Sequence, residues 1–203
     1  GIGGLTVAAI LSKFNHQKVL ILEQHFILGG FTQEFQRHNF QWDVGLHYVG
    51  EMGEGESGRL ISDYITNSKL KWAKIPDPFE TVVYPDFTFE VYSDPHRYQA
   101  DLIQKFPEEK AGIVRYFADL RRFSQWNGLR QATGFLPGRI GAIAQSLVDF
   151  FGKTFRQTTK SYLDQHFRNP QLKALLASAW GTYGLPPSES VFSIHALVMS
   201  SYL

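Results

Sequence analysis

The feature that most constrains this chain is its first stretch: Gly1-Ile2-Gly3-Gly4, then Leu5, Ala8, Ala9, Leu11 and Ser12 keeping a small or apolar face at helical spacing. Asn15 to Lys18 makes a polar turn, and Val19-Leu20-Ile21-Leu22 follows as a short continuous apolar run ending in Glu23. Such a run is the pattern of a strand buried on both faces, as in a parallel sheet. A glycine turn, a helix, a buried strand and then an acid form the later part of a dinucleotide-binding βαβ unit. The chemistry explains the order. Glycines at a helix entrance let backbone approach a pyrophosphate, whose charge sits against the free N–H groups and the positive end of the helix dipole. The acid at the next strand end accepts the ribose hydroxyls. It stands about 20 residues beyond the glycines in the usual fingerprint, which Glu23 satisfies if Gly1 and Gly4 are the second and third of them. On this reading the first glycine and first strand precede Gly1. A second reading stays open on these residues alone: a plain turn followed by a strand-end surface charge.

Composition narrows the class. The 203 residues carry 20 Lys+Arg against 19 Asp+Glu, a net charge of +1, so bulk electrostatics does not point to nucleic acid. With no cysteine, a disulfide framework, a Cys-ligated zinc site and a thiol nucleophile are excluded. At 43% hydrophobic and 19% charged the chain is expected to be globular, and 17 Phe imply that many rings are buried. No run approaches the roughly 20 apolar residues of a membrane-spanning helix. The expected location is cytoplasmic, and the chain reads as soluble and truncated at both ends.

After Glu23 come Gly29-Gly30, then Phe31 to Phe35, and then Phe40-Gln41-Trp42-Asp43-Val44-Gly45-Leu46-His47-Tyr48-Val49-Gly50. In this order of motifs the sequence resembles the FAD-dependent oxidoreductases that include phytoene desaturases, carotenoid isomerases and retinol saturases. The Asp43 to Tyr48 segment looks most like the retinol saturase branch. Gly184 to Ser188 and Phe192 to Ala196 also resemble stretches of the isomerase and saturase relatives, so the resemblance brackets most of the chain. It implies FAD as cofactor, with Gly1, Gly3 and Gly4 facing the pyrophosphate and Glu23 holding the adenosine ribose. It implies further that Gly29 and Gly30 pass close to the cofactor, and that Asp43, Gly45 and His47 lie towards the isoalloxazine ring or the mouth of the substrate site. Where many flavoproteins carry Arg after the double glycine, this chain has Phe31, which shifts phosphate neutralisation towards backbone amides. The family also has a further glycine segment, beyond residue 203, that closes over the flavin.

The implied fold class is α/β: a Rossmann-like FAD-binding βαβ with its first strand missing over residues 1–56, and an α+β substrate-binding region over 57–203. Within the latter, the residues predict a helix over 57–67 and a break at Pro76-Asp77-Pro78. Strands at 81–84 and 87–92 pair as a hairpin, because Phe87, Phe89 and Val91 alternate with Thr88, Glu90 and Tyr92. Ser93 or Asp94 caps a helix with Pro95 at its first position, and a second helix from Phe106 buries Ile113, Phe117, Leu120 and Phe123. The pair Glu108 and Glu109 is explained by capping and dipole effects at that helix start. Residues 134–141 read as a loop. Ile140, Ile143, Leu147, Phe151 and Phe155 then form a stripe opposed by Gln145, Asp149, Lys153 and Arg156. The simplest expectation is a core-facing helix, the sharper one a helix lining a lipid tunnel or lying on a membrane. Further helices are expected after Asn169-Pro170 and after Pro187.

Other chemistries find no support. The seven histidines never fall at i, i+4, so no metal site is expected, and the serines lack a Gly-x-Ser-x-Gly elbow. His47 either orients substrate or shares a proton, or is structural; His195, between Ile194 and Ala196, points less clearly to chemistry, and no catalytic base is assigned. The leading expectation is a flavoenzyme acting on carbon–carbon double bonds of a hydrophobic polyene by saturation, desaturation or isomerisation. Peripheral membrane contact follows from that substrate. Two alternatives are a non-catalytic lipid-binding or interaction module that keeps the dinucleotide fold, and an NAD-dependent dehydrogenase, since Glu23 suits either dinucleotide.

Overall fold

A computed structural model describes residues 1–46 and 48–203, which form two compact units, Gly1–Ala73 and Lys74–Leu203.

The first unit opens with helix α1, Ile2–Asn15, which ends where His16 turns left-handed and its N–H bonds back to the Leu11 carbonyl. Gly3 and Gly4 lie inside this helix rather than in a turn before it. The expected strand at Val19–Leu22 is not formed: these residues belong to no helix or strand, and Leu20 and Leu22 are 81% and 86% exposed. The physical reason is that a parallel strand exists through its neighbours' hydrogen bonds, and among the described residues no strand runs beside it. The expected parallel sheet is likewise replaced by antiparallel hairpins.

The first hairpin pairs β1, Glu34–Arg37, with β2, Phe40–Asp43, in the register Glu34 to Asp43 and Arg37 to Phe40. His38, at its two-residue turn, takes the positive φ that such tight hairpins need. Helix α2, Ser57–Thr66, stops at Asn67, which is left-handed and returns its N–H to the Asp63 carbonyl. Lys13 ties α1 to α2, its Nζ donating to Asn67 Oδ1 at 2.6 Å and also to the Tyr64 carbonyl. Trp72 Nε1 donates to Ser62 Oγ at 3.1 Å, closing the unit's end.

The second unit has a dense core. Strands β3, Glu80–Val83, and β4, Thr88–Val91, form the expected hairpin, with Phe89 and Val91 buried on one face. Asp94 Oδ1 accepts the His96 N–H at the start of α3, Pro95–Lys105, and Pro95 occupies the first helical position. A 3₁₀ turn at Pro107–Glu109 leads into α4, Lys110–Thr133, whose Ile113, Tyr116, Phe117, Leu120 and Phe123 are buried at helical spacing. Then follow α5, Gly138–Phe151, α6, Thr159–His166, α7, Pro170–Ala177, the short α8, Trp180–Tyr183, and α9, Phe192–Tyr202. Tyr162 of α6 stacks on Phe192 of α9 with ring centres 3.7 Å apart.

Two expectations about this unit are corrected. Glu109 does not serve its own helix start: its Oε1 accepts the N–H groups of Arg168 at 2.7 Å and Asn169 at 2.5 Å, holding the turn before α7. The α5 stripe does not face the core, because only Phe155 is buried, whereas Ile140, Ile143, Leu147 and Phe151 are exposed.

Close packing between α4 and the end of α6 rests on a glycine. A Cβ at Gly112 would stand 2.6 Å from the His166 carbonyl oxygen and 2.9 Å from the Phe167 ring, with backbone on one side that cannot yield. Gly112→Ala is expected to destabilise the fold by about 1–3 kcal/mol, read as a lower urea midpoint at unchanged slope.

Candidate functional site

The glycines of the first unit meet at the start of α1. Gly29 and Gly30 have φ of 121° and 62°, a backbone that side chains rarely adopt. A Cβ on Gly30 would lie 2.8 Å from the Gly1 Cα, so residue 30 must be glycine for the loop to reach the helix start. The loop is fixed from its own side by Thr32, whose hydroxyl donates to the Gly29 carbonyl at 2.8 Å. It is held to the end of the hairpin as well: Val44 N–H bonds the Gln33 carbonyl and Gly45 N–H the Phe31 carbonyl, both at 3.1 Å. A Cβ on Gly45 would come within 3.1 Å of the Phe31 Cβ.

Glu23 reaches this junction. Its Oε2 is 3.6 Å from the Gly1 nitrogen, and its Oε1 accepts the His25 N–H at 3.1 Å. The His25 N–H donated to it holds the carboxyl below its ordinary range, so it is an anion at neutral pH. Gly3 and Gly4 have nothing within 4 Å of where a Cβ would be, which leaves open space beside the first turn of α1. There the first helical N–H groups have no acceptor within the helix.

The structure therefore brings Gly1, Glu23, Gly29, Gly30 and Gly45 to one region, with Gly3 and Gly4 on the adjoining turn. Asp43 closes β2 opposite Glu34, two residues before Gly45. His47 lies outside the described residues. Sequence reasoning missed Thr32 and the packing of Phe31 on Gly45; a hydroxyl two positions after a double glycine was the available signal. Among the described residues no three His, Asp or Glu side chains come together as a metal site.

The second unit holds a buried polar chain of its own. Tyr116 OH is 2.8 Å from His195 Nε2, and Tyr183 OH is 3.3 Å from His195 Nδ1. His195 is fully buried, and loss of hydration pushes its pKa down to about 4, so the ring is neutral at physiological pH. Both nitrogens having partners, it is a structural histidine. Nearby, Asp119 accepts the Tyr162 hydroxyl at 2.8 Å and faces Arg115 and Arg122 at 3.5 and 3.2 Å.

Comparison with known proteins agrees with the first unit's reading. Residues 1–63 match the model of the NAD(P)-binding Rossmann-like domain, which defines the class as dinucleotide-binding. Over 213 residues the chain is 34% identical to an all-trans-retinol 13,14-reductase of Danio rerio, an alignment that covers 100% of this chain and 35% of the reductase. It is 27% identical over 208 residues to a protein of the same fish named an inactive all-trans-retinol 13,14-reductase, covering 98% of this chain and 34% of that protein. It is also 34% identical over 134 residues to prolycopene isomerase 2, chloroplastic, of an Oncidium hybrid cultivar, covering 64% of this chain and 22% of the isomerase. No solved structure matches the chain significantly. Over its whole length the chain is a homologue of the all-trans-retinol 13,14-reductases and, over 64% of it, more distantly of the prolycopene isomerases. It spans about a third of the length of the reductases it matches, 35% of the Danio rerio protein.

Burial of His195 gives the second unit a pH signature. Its folded pKa of about 4 lies below the unfolded value near 6.5, so below pH 6.5 the unfolded chain takes up a proton that the folded chain refuses. Stability from this group is complete above pH 6.5 and falls as the pH drops towards 4. Between pH 7 and pH 5 the loss is expected to be roughly 2 kcal/mol, and urea unfolding at the two pH values should show that difference shrinking in His195→Gln.

Proposed function

We propose that the protein is an FAD-dependent oxidoreductase acting on carbon–carbon double bonds of a hydrophobic polyene of the retinoid or carotenoid class. The observation that carries this is the junction at Gly1 and Gly30. Two backbones meet at a distance no side chain permits, beside an ionised Glu23 and an open glycine face on the first turn of a helix. A dinucleotide pyrophosphate fits that face, and homology along the whole chain to proteins named for retinol reduction supports the flavin and the polyene.

The residues present fit the cofactor in distinct roles. The N–H groups of Ile2, Gly3 and Gly4, which lack helical acceptors, hold the pyrophosphate, and the missing side chains at Gly3 and Gly4 let it come close. The Glu23 carboxylate accepts the ribose hydroxyls. Gly29 and Gly30 keep the following loop against the helix start, and Thr32 fixes that loop. Phe31 carries no charge, so backbone amides and the helix dipole balance the phosphates in place of a guanidinium. Gly45, two residues after Asp43 at the end of β2, lines the way to the reacting end. Bound FAD supplies the redox step; the chain supplies position, electrostatics and exclusion of water. Reduction, which adds two hydrogens across one double bond, is the favoured direction, because Asp43 to Tyr48 resembles the saturase branch. A second reading, binding without turnover, draws on the likeness to a relative named as inactive.

The full chain, purified and reconstituted with FAD, is expected to show a bleachable flavin spectrum. Reduced anaerobically, it should convert all-trans-retinol to a product heavier by two hydrogens. Uptake of NAD(P) without flavin would overturn the reading in favour of a plain dehydrogenase, and flavin uptake with no turnover of any polyene would favour the binding module. Glu23→Gln removes a charge-assisted pair of hydrogen bonds and is expected to weaken FAD binding about 10- to 100-fold, measured by quenching of flavin fluorescence.

A further inference from the structure

We propose that the outer face of α5 docks on an anionic lipid bilayer, lying flat among the headgroups with Ile140, Ile143, Leu147, Phe150 and Phe151 in contact with acyl chains. These five large side chains are each between 60% and 77% exposed. At 3.6 residues per turn they fall within an arc of about 100°, one stripe along a 14-residue helix. The helix packs by another side, where Gly141 and Val148 are buried. Phe135 and Leu136, immediately before the helix, are exposed as well and extend the apolar surface. A contiguous patch of this kind marks an interaction surface rather than ordinary scattered exposure.

The charge around the stripe says which partner fits. Residues 130–156, which span and flank α5, hold four cations, Arg130, Arg139, Lys153 and Arg156, against a single carboxylate, Asp149, in a chain whose net charge is only +1. Asp149 is already engaged by Arg130 at 3.1 Å and Arg156 at 3.0 Å. Lys153 Nζ lies 4.4 Å from the centre of the Phe150 ring, a cation poised at the rim of the stripe. The one hydroxyl among these apolar side chains, on Ser146, donates back to the Ala142 carbonyl at 2.9 Å, so the face presents little directional hydrogen bonding. An apolar stripe flanked by cations matches a fluid anionic surface, which needs greasy contact and counter-charge but no shape match. Beside it, a cleft of about 550 Å³ between α4 and α5 is walled by Trp126, Leu129, Leu147 and Phe151, room for an acyl chain; Arg115 and Arg122 also line it, both paired with Asp119. Among the described residues no helix is long and apolar enough to cross a membrane.

The test is co-sedimentation of the full chain with vesicles of phosphatidylcholine alone or mixed with phosphatidylserine. Binding to the mixed vesicles is expected to exceed binding to the neutral ones about tenfold or more, and to weaken as salt is raised. The pair Ile143→Ser and Phe151→Ser should lower binding to both kinds. Arg139→Glu with Lys153→Glu should abolish the preference for phosphatidylserine, and Val83→Ser, an exposed apolar site on the hairpin, should change nothing. Far-UV circular dichroism and melting should be unaltered in all, since every changed side chain is exposed. No sedimentation with phosphatidylserine vesicles would overturn the proposal, as would sedimentation that survives both α5 variants. A shift from dimer to monomer in the serine variant with vesicle binding unchanged would assign the face to a second copy instead. None of these outcomes depends on flavin uptake or retinol turnover assayed in detergent, so the docking face and the redox chemistry stand or fall separately.

Discussion

Gly30 cannot carry a side chain, because the Gly1 Cα occupies the place where its Cβ would be. That steric constraint organises the first unit. It holds the Gly29 to Gln33 loop against the start of α1, the loop's carbonyls in turn receive the N–H groups of Val44 and Gly45, and the hairpin end is thereby delivered to the same place. Glu23, bonded by the His25 N–H, completes the set. Few side chains are buried in this unit. Its geometry is written mainly in backbone contacts, and at Gly3 and Gly4 the absence of side chains leaves the N–H groups of the first helical turn uncovered.

The second unit is built on the opposite principle. Aromatic rings from α3, α4, α6 and α9 interlock around Tyr116, and the polar groups caught among them are satisfied pairwise: Tyr116 and Tyr183 with His195, Tyr162 with Asp119. Hydrogen-bonded polar atoms inside an apolar core specify one arrangement more narrowly than apolar packing does. The many phenylalanines accordingly divide into two populations. Phe89, Phe106, Phe117, Phe123, Phe155, Phe167 and Phe192 make the core, whereas Phe135, Phe150 and Phe151 face outwards.

What could be read from the sequence was local. Helices announced by caps and periodicity, such as α3 with Asp94 and Pro95 and α4 with its buried stripe, stand where the residues place them, and so does the hairpin of alternating residues at Phe87 to Tyr92. The misreadings concern what lies opposite an element. Val19 to Leu22 has the composition of a buried strand, but a sheet is made by neighbours, which four residues cannot encode. The α5 stripe has the period of a core helix, and period reveals that a face exists without revealing what it meets. The site was legible to the same degree. The glycines and Glu23 could be named from spacing, whereas the contact of Gly1 with Gly30 and the role of Thr32 belong to tertiary structure.

Glu109 has one more implication. Its carboxylate accepts the N–H groups of Arg168 and Asn169, and Glu108 accepts from the Asn169 side chain at 3.1 Å, so the ends of a long excursion through α4, α5 and α6 are clasped at the base. A closed excursion behaves as a module. Because closure entropy rises only slowly with length, residues can be gained or lost at its far tip, between Gly134 and Pro137, without loosening the clasp. The clasp thus fixes the base of the excursion independently of the tip, which lies next to the exposed α5 face.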